Sequence, residues 1–457
     1  MLRMIAIFII AYLVLTLVIG ILASRLVKNS GDFILAGRKL PLIIATTTVF
    51  ATWFGSETVM GASGEFATGG LLAVIEDPFG AALCLILVGL FFARPLYRMN
   101  LLTFGDYYKV TFGRKAEFVA SFFLIWSYLG WVAAQMLAMG IVLHSVFPEI
   151  SREQGILISS AIVILYTCTG GMWAVSITDF FQTIVIIIGL VITAVIVTDD
   201  VGGVSKVLSA APSGFFNMTP QEGHGSWSTY IAAWITLGLG SIPQQDVYQR
   251  VMSSKNERTA VWSSILGGFL YLTVAFIPLY LGFAALQLMP MTDDPQLLLT
   301  TLIAEKTGPV INILFFGALL SAIMSTASGA ILAPSVILGE NILKPLFKDL
   351  SDKKLLRITR ISVVFISGIS LILAFQDKGI YELVRVASEI SLVSLFVPLC
   401  AGLFFKSKHE LAALSSMILG AAVWGICGYL ETSLEPIFWG TGASLAGYLL
   451  FLPFKKS

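Results

Sequence analysis

Along its whole length the chain alternates between apolar runs and short polar segments. Most runs approach the ~20 residues a helix needs to cross a hydrocarbon core of roughly 30 Å. They predict membrane helices over residues 4 to 23, 42 to 63, 71 to 93, 117 to 146, 155 to 169, 176 to 198, 228 to 248, 260 to 287, 309 to 338, 358 to 376, 380 to 404, 411 to 430 and 436 to 453. These thirteen spans leave no interval for a separate soluble domain, so residues 1–457 are expected to form one transmembrane domain of an all-α polytopic membrane protein. The first run, MIAIFIIAYLVLTLVIGILAS, exceeds a signal peptide's apolar stretch and is followed by basic residues rather than a small-residue cleavage site. It counts as a helix.

Two runs are interrupted. In LIIATTTVFATWFGSETVMGAS the apolar sequence gives way at Gly55, Ser56 and Glu57, and in YIAAWITLGLGSIPQQDVYQR at Gly238, Gly240 and Pro243, ahead of Gln244, Gln245 and Asp246. Taken singly, each is equally a kink satisfied by neighbouring helices. Their spacing adds information: the breaks fall in the first helix of two five-helix sets, spans two to six and seven to eleven, as an inverted-repeat secondary transporter requires. A third anomaly is ALLSAIMSTASGAILAPS, residues 318–335, an apolar run carrying Ser321, Ser325, Thr326, Ser328 and Ser335. Ala322, Ser325 and Thr326 stand at i, i+3 and i+4 and so share a helix face. Hydroxyls in membrane helices also serve as close-packing glue, and that reading applies to Ser321, Ser328 and Ser335. Asp179 lies near mid-membrane, where a carboxylate is either functional or part of a structural ion pair.

Composition sharpens the class. Hydrophobic residues make up 57% of the chain and charged residues 12%, outside the balance of a soluble domain. The net charge of +1 is uninformative, but its placement is not. With the N-terminus outside, the inner segments 25–39, 94–115, 250–258, 344–360, 406–408 and 455–456 hold 22 of the 28 basic residues, Arg250 among them. The positive-inside rule therefore sets an outer N-terminus and a cytoplasmic C-terminus. The four cysteines lie within predicted spans without CxxC spacing, so neither disulfides nor a metal centre is implied. No basic tract suits a nucleic acid, and no obligatory protein partner is evident; the lipid bilayer is the expected surround. GASG at 61–64 spells the GxSG of rhomboid proteases, but no histidine falls where it could act as base: His144 ends a span, and His224 and His409 lie in loops. An enzyme is not expected.

Four pieces in order, GDFILAGRKLP, GGMWAVSITDFFQ, QRVMSSKN and SAIMSTASGAILAPS, resemble the sodium:solute symporter family, relatives of proline, pantothenate, sugar, iodide and choline transporters. The resemblance covers essentially the whole chain. It implies a LeuT-type 5+5 inverted repeat: an extra N-terminal helix and inner loop (1–40), a first repeat (41–198), an inverted second repeat (227–404) and two extra C-terminal helices (410–453). It further implies sodium-coupled symport of a small polar solute across the cell membrane by alternating access, with Na+ as coupling ion. Carried over residue by residue, the ion would be held by the carbonyls of Ala51, Phe54 and Ala322 and the hydroxyls of Ser325 and Thr326, with Asp179 in the cation pathway. Neutral hard oxygens suit such an ion. Substrate would bind near Trp53 and Gln244, with Asp77 where sugar-carrying relatives place a ligand-binding Glu, and with Thr52, Ser56, Glu57 and Asp246 equally able to brace the breaks. ATWFG is similar to the choline-transporter pattern, but Gln244 replaces a second Trp; proline carriers have Asp at the position of Trp53. An amino acid, ammonium compound, sugar or carboxylate all remain open, as do proton coupling and a transporter-like sensor.

Overall fold

The computed structural model describes residues 2–221, 225–347, 351–376, 379–430 and 432–452, and among these the chain is helical without a strand. Lys348, Lys378 and the terminal Lys455 and Lys456, all counted in the charge asymmetry, lie outside the described residues, as do His224 and residue 453 of the last expected span. Helices α1 (Leu2–Ala23), α2 (Leu42–Trp53), α3 (Ser63–Gly69), α4 (Leu71–Met99), α5 (Phe104–Phe112), α6 (Arg114–Val146) and α7 (Arg152–Val201) form the first half. The second contains α8 (Trp227–Gly240), α9 (Gln245–Ser253), α10 (Glu257–Ala285), α11 (Leu298–Lys306), α12 (Pro309–Ile337), α13 (Asp352–Ala374), α14 (Ile380–Phe404), α15 (Glu410–Tyr429) and α16 (Pro436–Phe451).

Eight helical segments among the described residues are long and apolar enough to cross a membrane. The second and seventh expected spans are not among them because unwinding divides each into shorter pieces. Helix α2 ends at Trp53, Phe54 leaves helical geometry (φ −82°, ψ 79°), and the chain re-enters helix through wide turns at Glu57–Ala62 before α3. Helix α8 ends at Gly240, four residues follow without helix, and α9 begins at Gln245. The fifth and sixth expected spans adjoin within α7, divided at Gly171 (φ 52°, ψ −144°). A side chain there would be strained by the positive φ and would also meet the Phe33 carbonyl, 2.5 Å from its Cβ.

Helix α12 runs through the core, buried along nearly its whole circumference, and packs on α6, α7 and α2. One charge departs from expectation. Arg250, counted with the inner-segment cations, is only 2% exposed and lies inside α9. Asp246 and Arg250 are four residues apart on one helical face, and this face points inward, so Arg250 takes its partners from the core rather than from water.

Candidate functional site

The first break brings four oxygens together. Ser325 Oγ on α12 lies 2.7 Å from the Ala51 carbonyl of α2 and 2.6 Å from Asp179 Oδ1 of α7, and Thr326 Oγ1 lies 3.3 Å from the same carbonyl. All of these residues are fully buried. Phe54 and Ala322, three residues from Ala51 and Ser325 respectively, are also fully buried. A hydroxyl carries one proton. Ser325 therefore cannot donate to both a carbonyl and an ionised carboxylate, and Asp179 Oδ2 has no hydrogen-bond partner at all. An oxygen-rich corner short of protons, with a single carboxylate and no cluster of His, Cys, Asp or Glu among the described residues, has the donor chemistry of a weakly charged hard cation. The other hydroxyls of α12 behave differently. Ser335 and Ser328 bond back to carbonyls of their own helix, at 2.6 and 2.9 Å; Ser321 bonds back to Gly317 O at 2.7 Å and also meets the Tyr12 hydroxyl.

Between the two breaks lies a small cavity lined by Trp53, Glu57, Trp131, Leu237, Ser241, Gln244, Tyr271, Val384, Ala387 and Ser388. Three aromatic side chains and one carboxylate face it, and no basic residue does. Glu57 is held by Trp131 Nε1–H at 3.0 Å and Gln135 Nε2–H at 2.7 Å. Asp77 does not line this cavity. It accepts from Thr58 Oγ1 at 2.9 Å and from the Tyr271 hydroxyl at 2.7 Å, and so sets the ring that does. Asp246 and Thr52 line a second, smaller cavity beneath, which also contains Arg250. There Asp246 accepts from Trp53 Nε1–H at 2.7 Å and from the Tyr128 hydroxyl, while Arg250 Nε–H donates to Thr52 Oγ1 at 2.9 Å. Ser56 donates its amide to Gln135 Oε1 at 3.1 Å, and its buried hydroxyl has no partner.

Sequence reasoning thus singled out both breaks, with Trp53 and Gln244 facing the cavity, but missed the wall opposite. Tyr128, Trp131 and Gln135 come from α6 at i, i+3 and i+7, one polar and aromatic stripe on a helix that reads as uniformly apolar. That stripe was a usable signal. Tyr271, one of several hydroxyl-bearing residues in the apolar run of α10, and Arg250 offered none.

Such an arrangement, a buried oxygen corner at one helix break and a cavity between two breaks, defines a membrane carrier. The family model for "Sodium:solute symporter family" matches residues 33–420, and the chain belongs to that family. Its relatives are transporters, not enzymes. It is 27% identical to the human high affinity choline transporter 1 across 95% of this chain and 78% of that protein. With the high-affinity proline transporter PutP of Bacillus subtilis it shares 28% identity across 94% of this chain and 93% of that one. In fold it is similar to a Na+-coupled sialic acid symporter in a substrate-bound outward-open state (TM-score 0.87, 20% identity, 99% of this chain and 98% of that one). MhsT in complex with L-phenylalanine aligns at a TM-score of 0.61, with 14% identity over 90% of this chain and 98% of that one.

Proposed function

We propose that this protein is a sodium-coupled symporter of a small organic cation, an alkylated ammonium compound of the choline kind, working by alternating access in the cell membrane. The observation that carries the sodium assignment is the proton deficit around Ser325. A monovalent cation bound by Ala51, Phe54, Ala322, Ser325 and Thr326, with Asp179 contributing, would supply the charge those oxygens lack. The solute assignment rests on the cavity. Trp53, Trp131 and Tyr271 offer ring faces, Glu57 offers negative charge, and an ammonium group is attracted to both. Around the two breaks Glu57, Asp77, Asp179 and Asp246 stand against one guanidinium, Arg250, a balance that favours cationic cargo. Similarity to choline transporters agrees with this reading. Thirteen spans in a 5+5 inverted repeat, with an outer N-terminus and cytoplasmic C-terminus, complete the proposal.

The mechanism follows from shared residues. Ala51 faces the ion and Trp53, two residues on, faces the solute, so an ion that fixes the end of α2 also orients the indole. Trp53 is held in turn by Asp246 across the second break. Sodium binding therefore tightens the cavity, and ion release loosens both breaks together.

The decisive experiment is uptake of labelled choline and labelled proline into proteoliposomes under a sodium gradient, a potassium gradient and a pH gradient alone. Sodium-driven choline uptake is expected. Uptake driven by the pH gradient alone would replace sodium by the proton, and proline uptake without choline uptake would overturn the solute class. Orientation is tested separately in a cysteine-free background. Single cysteines at Ser30, Lys353 and Lys408 should resist a membrane-impermeant reagent in intact cells, and one at Ser226 should react.

A further inference from the structure

Arg250 carries a positive charge into the core, and its hydrogen bonds use only part of its donor capacity. Its Nε–H donates to Thr52 Oγ1 at 2.9 Å and its Nη1 to the Asp246 carbonyl at 3.2 Å, while Nη2 has no partner. Thr52 gives its own proton to the Thr48 carbonyl at 2.7 Å, which leaves its lone pairs to accept from the guanidinium. Across the first break Asp179 is fully buried, and its Oδ2 has no partner either. A buried cationic donor and a buried carboxylate oxygen, each one hydrogen bond short, are both costly as they stand.

The two groups approach the same short stretch of two helices. On α2, Ala51 accepts from Ser325, and the next residue, Thr52, accepts from Arg250. On α12, Ser325 Oγ meets Asp179 Oδ1, and Gly329 meets the guanidinium, since a Cβ there would lie 2.4 Å from Nη2. Ser325 and Gly329 are four residues apart, so they share a helix face about 6 Å apart along the axis. The absence of a side chain at Gly329 is what admits Nη2 to that face. Arg250 also borders the small cavity lined by Val49, Leu85 and Ser264, and its unbranched stem can change rotamer while α9 stays in place.

We infer that Arg250 is a tethered counter-cation of the ion corner: it pairs with Asp179 in the carrier that has released its ion, and sodium displaces it. The inference rests on the sodium site proposed above. A symporter working by alternating access returns empty, and an empty corner would leave the Asp179 carboxylate alone in the membrane core. The guanidinium supplies the missing charge for that step. With the ion bound, like charge keeps Nη2 away, and Thr52 and the Asp246 carbonyl hold the side chain where it is described here. Ion and guanidinium therefore compete for one carboxylate, and apparent sodium affinity is lowered by the share of empty carrier in which the internal pair has formed.

Sodium binding to the purified protein in nanodiscs, measured without solute by thermal shift and with radioactive sodium, tests this. Arg250→Gln should bind sodium about tenfold more tightly than wild type, the scale of a hydrogen bond to a charged group, and a gain of that kind cannot come from misfolding. Its melting temperature should fall below that of wild type in sodium-free buffer, and saturating sodium should close the gap. In an Asp179→Asn background the same substitution should change sodium affinity less than twofold, because the guanidinium then has no carboxylate to compete for. Thr52→Val should act in the opposite direction, releasing the guanidinium toward Asp179 and weakening sodium binding about fivefold, the scale of one neutral hydrogen bond. In proteoliposomes Arg250→Gln should slow net choline uptake, which needs the empty carrier to return, about tenfold more than it slows exchange of internal for external choline, which does not. If Arg250→Gln leaves sodium affinity at or below the wild-type value, or if its gain is as large with Asp179→Asn as without, the guanidinium is a fixed brace, and the inference fails while the sodium site stands. If Arg250→Gln does not fold, Thr52→Val decides, and unchanged sodium binding there overturns the inference. Wild type that binds no sodium refutes the ion corner and the inference together.

Discussion

The two helix breaks solve the same problem in opposite ways. At the second, between α8 and α9, the freed groups find protein partners: the Gly240 carbonyl accepts from Ser391 Oγ at 2.6 Å, and the Ser241 and Ser388 hydroxyls meet at 2.9 Å. Gly240 itself cannot carry a side chain, since a Cβ would lie 2.5 Å from the Ser388 carbonyl. At the first break the partners of Ala51 are two hydroxyls and, through Ser325, a carboxylate, and acceptors outnumber protons. A break whose hydrogen bonds close is a hinge and a wall. A break whose oxygens remain under-supplied is suited to hold an ion. The same element type, a discontinuous helix, thus divides its labour according to what faces it.

This contrast is most directly broken at Ser325. Ser325→Ala and Asp179→Asn should each raise the sodium concentration for half-maximal uptake by about 10- to 100-fold, the range of a lost hydrogen bond to a charged group. Choline affinity at saturating sodium should move much less. If sodium dependence stayed at the wild-type value in both, the first break would be no more than a second hinge. Trp131→Ala should weaken choline binding by about 30-fold, since a desolvated cation–π contact contributes about 2 kcal/mol, while leaving sodium affinity in the absence of solute unchanged. Equal losses for both ligands would show that the cavity and the oxygen corner are a single site.

Ser391→Ala sharpens the other side. It leaves the Gly240 carbonyl without its donor and should cost about 1 to 3 kcal/mol of stability, read as a lower melting temperature in detergent without a change in the sodium response. A changed sodium response would mean that the second break also serves the ion. The smallest effect is expected at Ser328, whose hydroxyl only bonds back to Ser325 O. Ser328→Ala should stay within about 0.5 kcal/mol of wild type and within twofold in sodium dependence.

Much of this molecule was legible in one dimension. Apolar run length marks where a helix can sit in lipid, and glycine and proline in mid-run mark where it cannot continue, so the helices and both breaks follow from the chain alone. Helical spacing likewise placed Ser325 and Thr326 on one face. What that spacing could not distinguish was which hydroxyls of α12 bond to their own helix and which reach across, because each serine in the run has the same local options. The approach of Ala51 and Asp179 to Ser325, and of Tyr12 to Ser321, separates them.

Arg250 shows the same limit from another direction. In the sequence it stands with Lys255 and Arg258 and counts as one more inner charge. In the fold, α9 turns its Asp246 and Arg250 face into the core, where Thr52 meets the guanidinium and Trp53 and Tyr128 meet the carboxylate. The chain by itself determined where apolar helices form, where two of them break and which residue types stand near each break, because lipid imposes a one-dimensional rule on length and polarity. Tertiary structure alone decided the partners. Whether a carbonyl, a hydroxyl or a carboxylate is satisfied depends on contacts between residues far apart in the chain, such as Ser325 with Ala51 and Asp179, which only packing brings within hydrogen-bond distance.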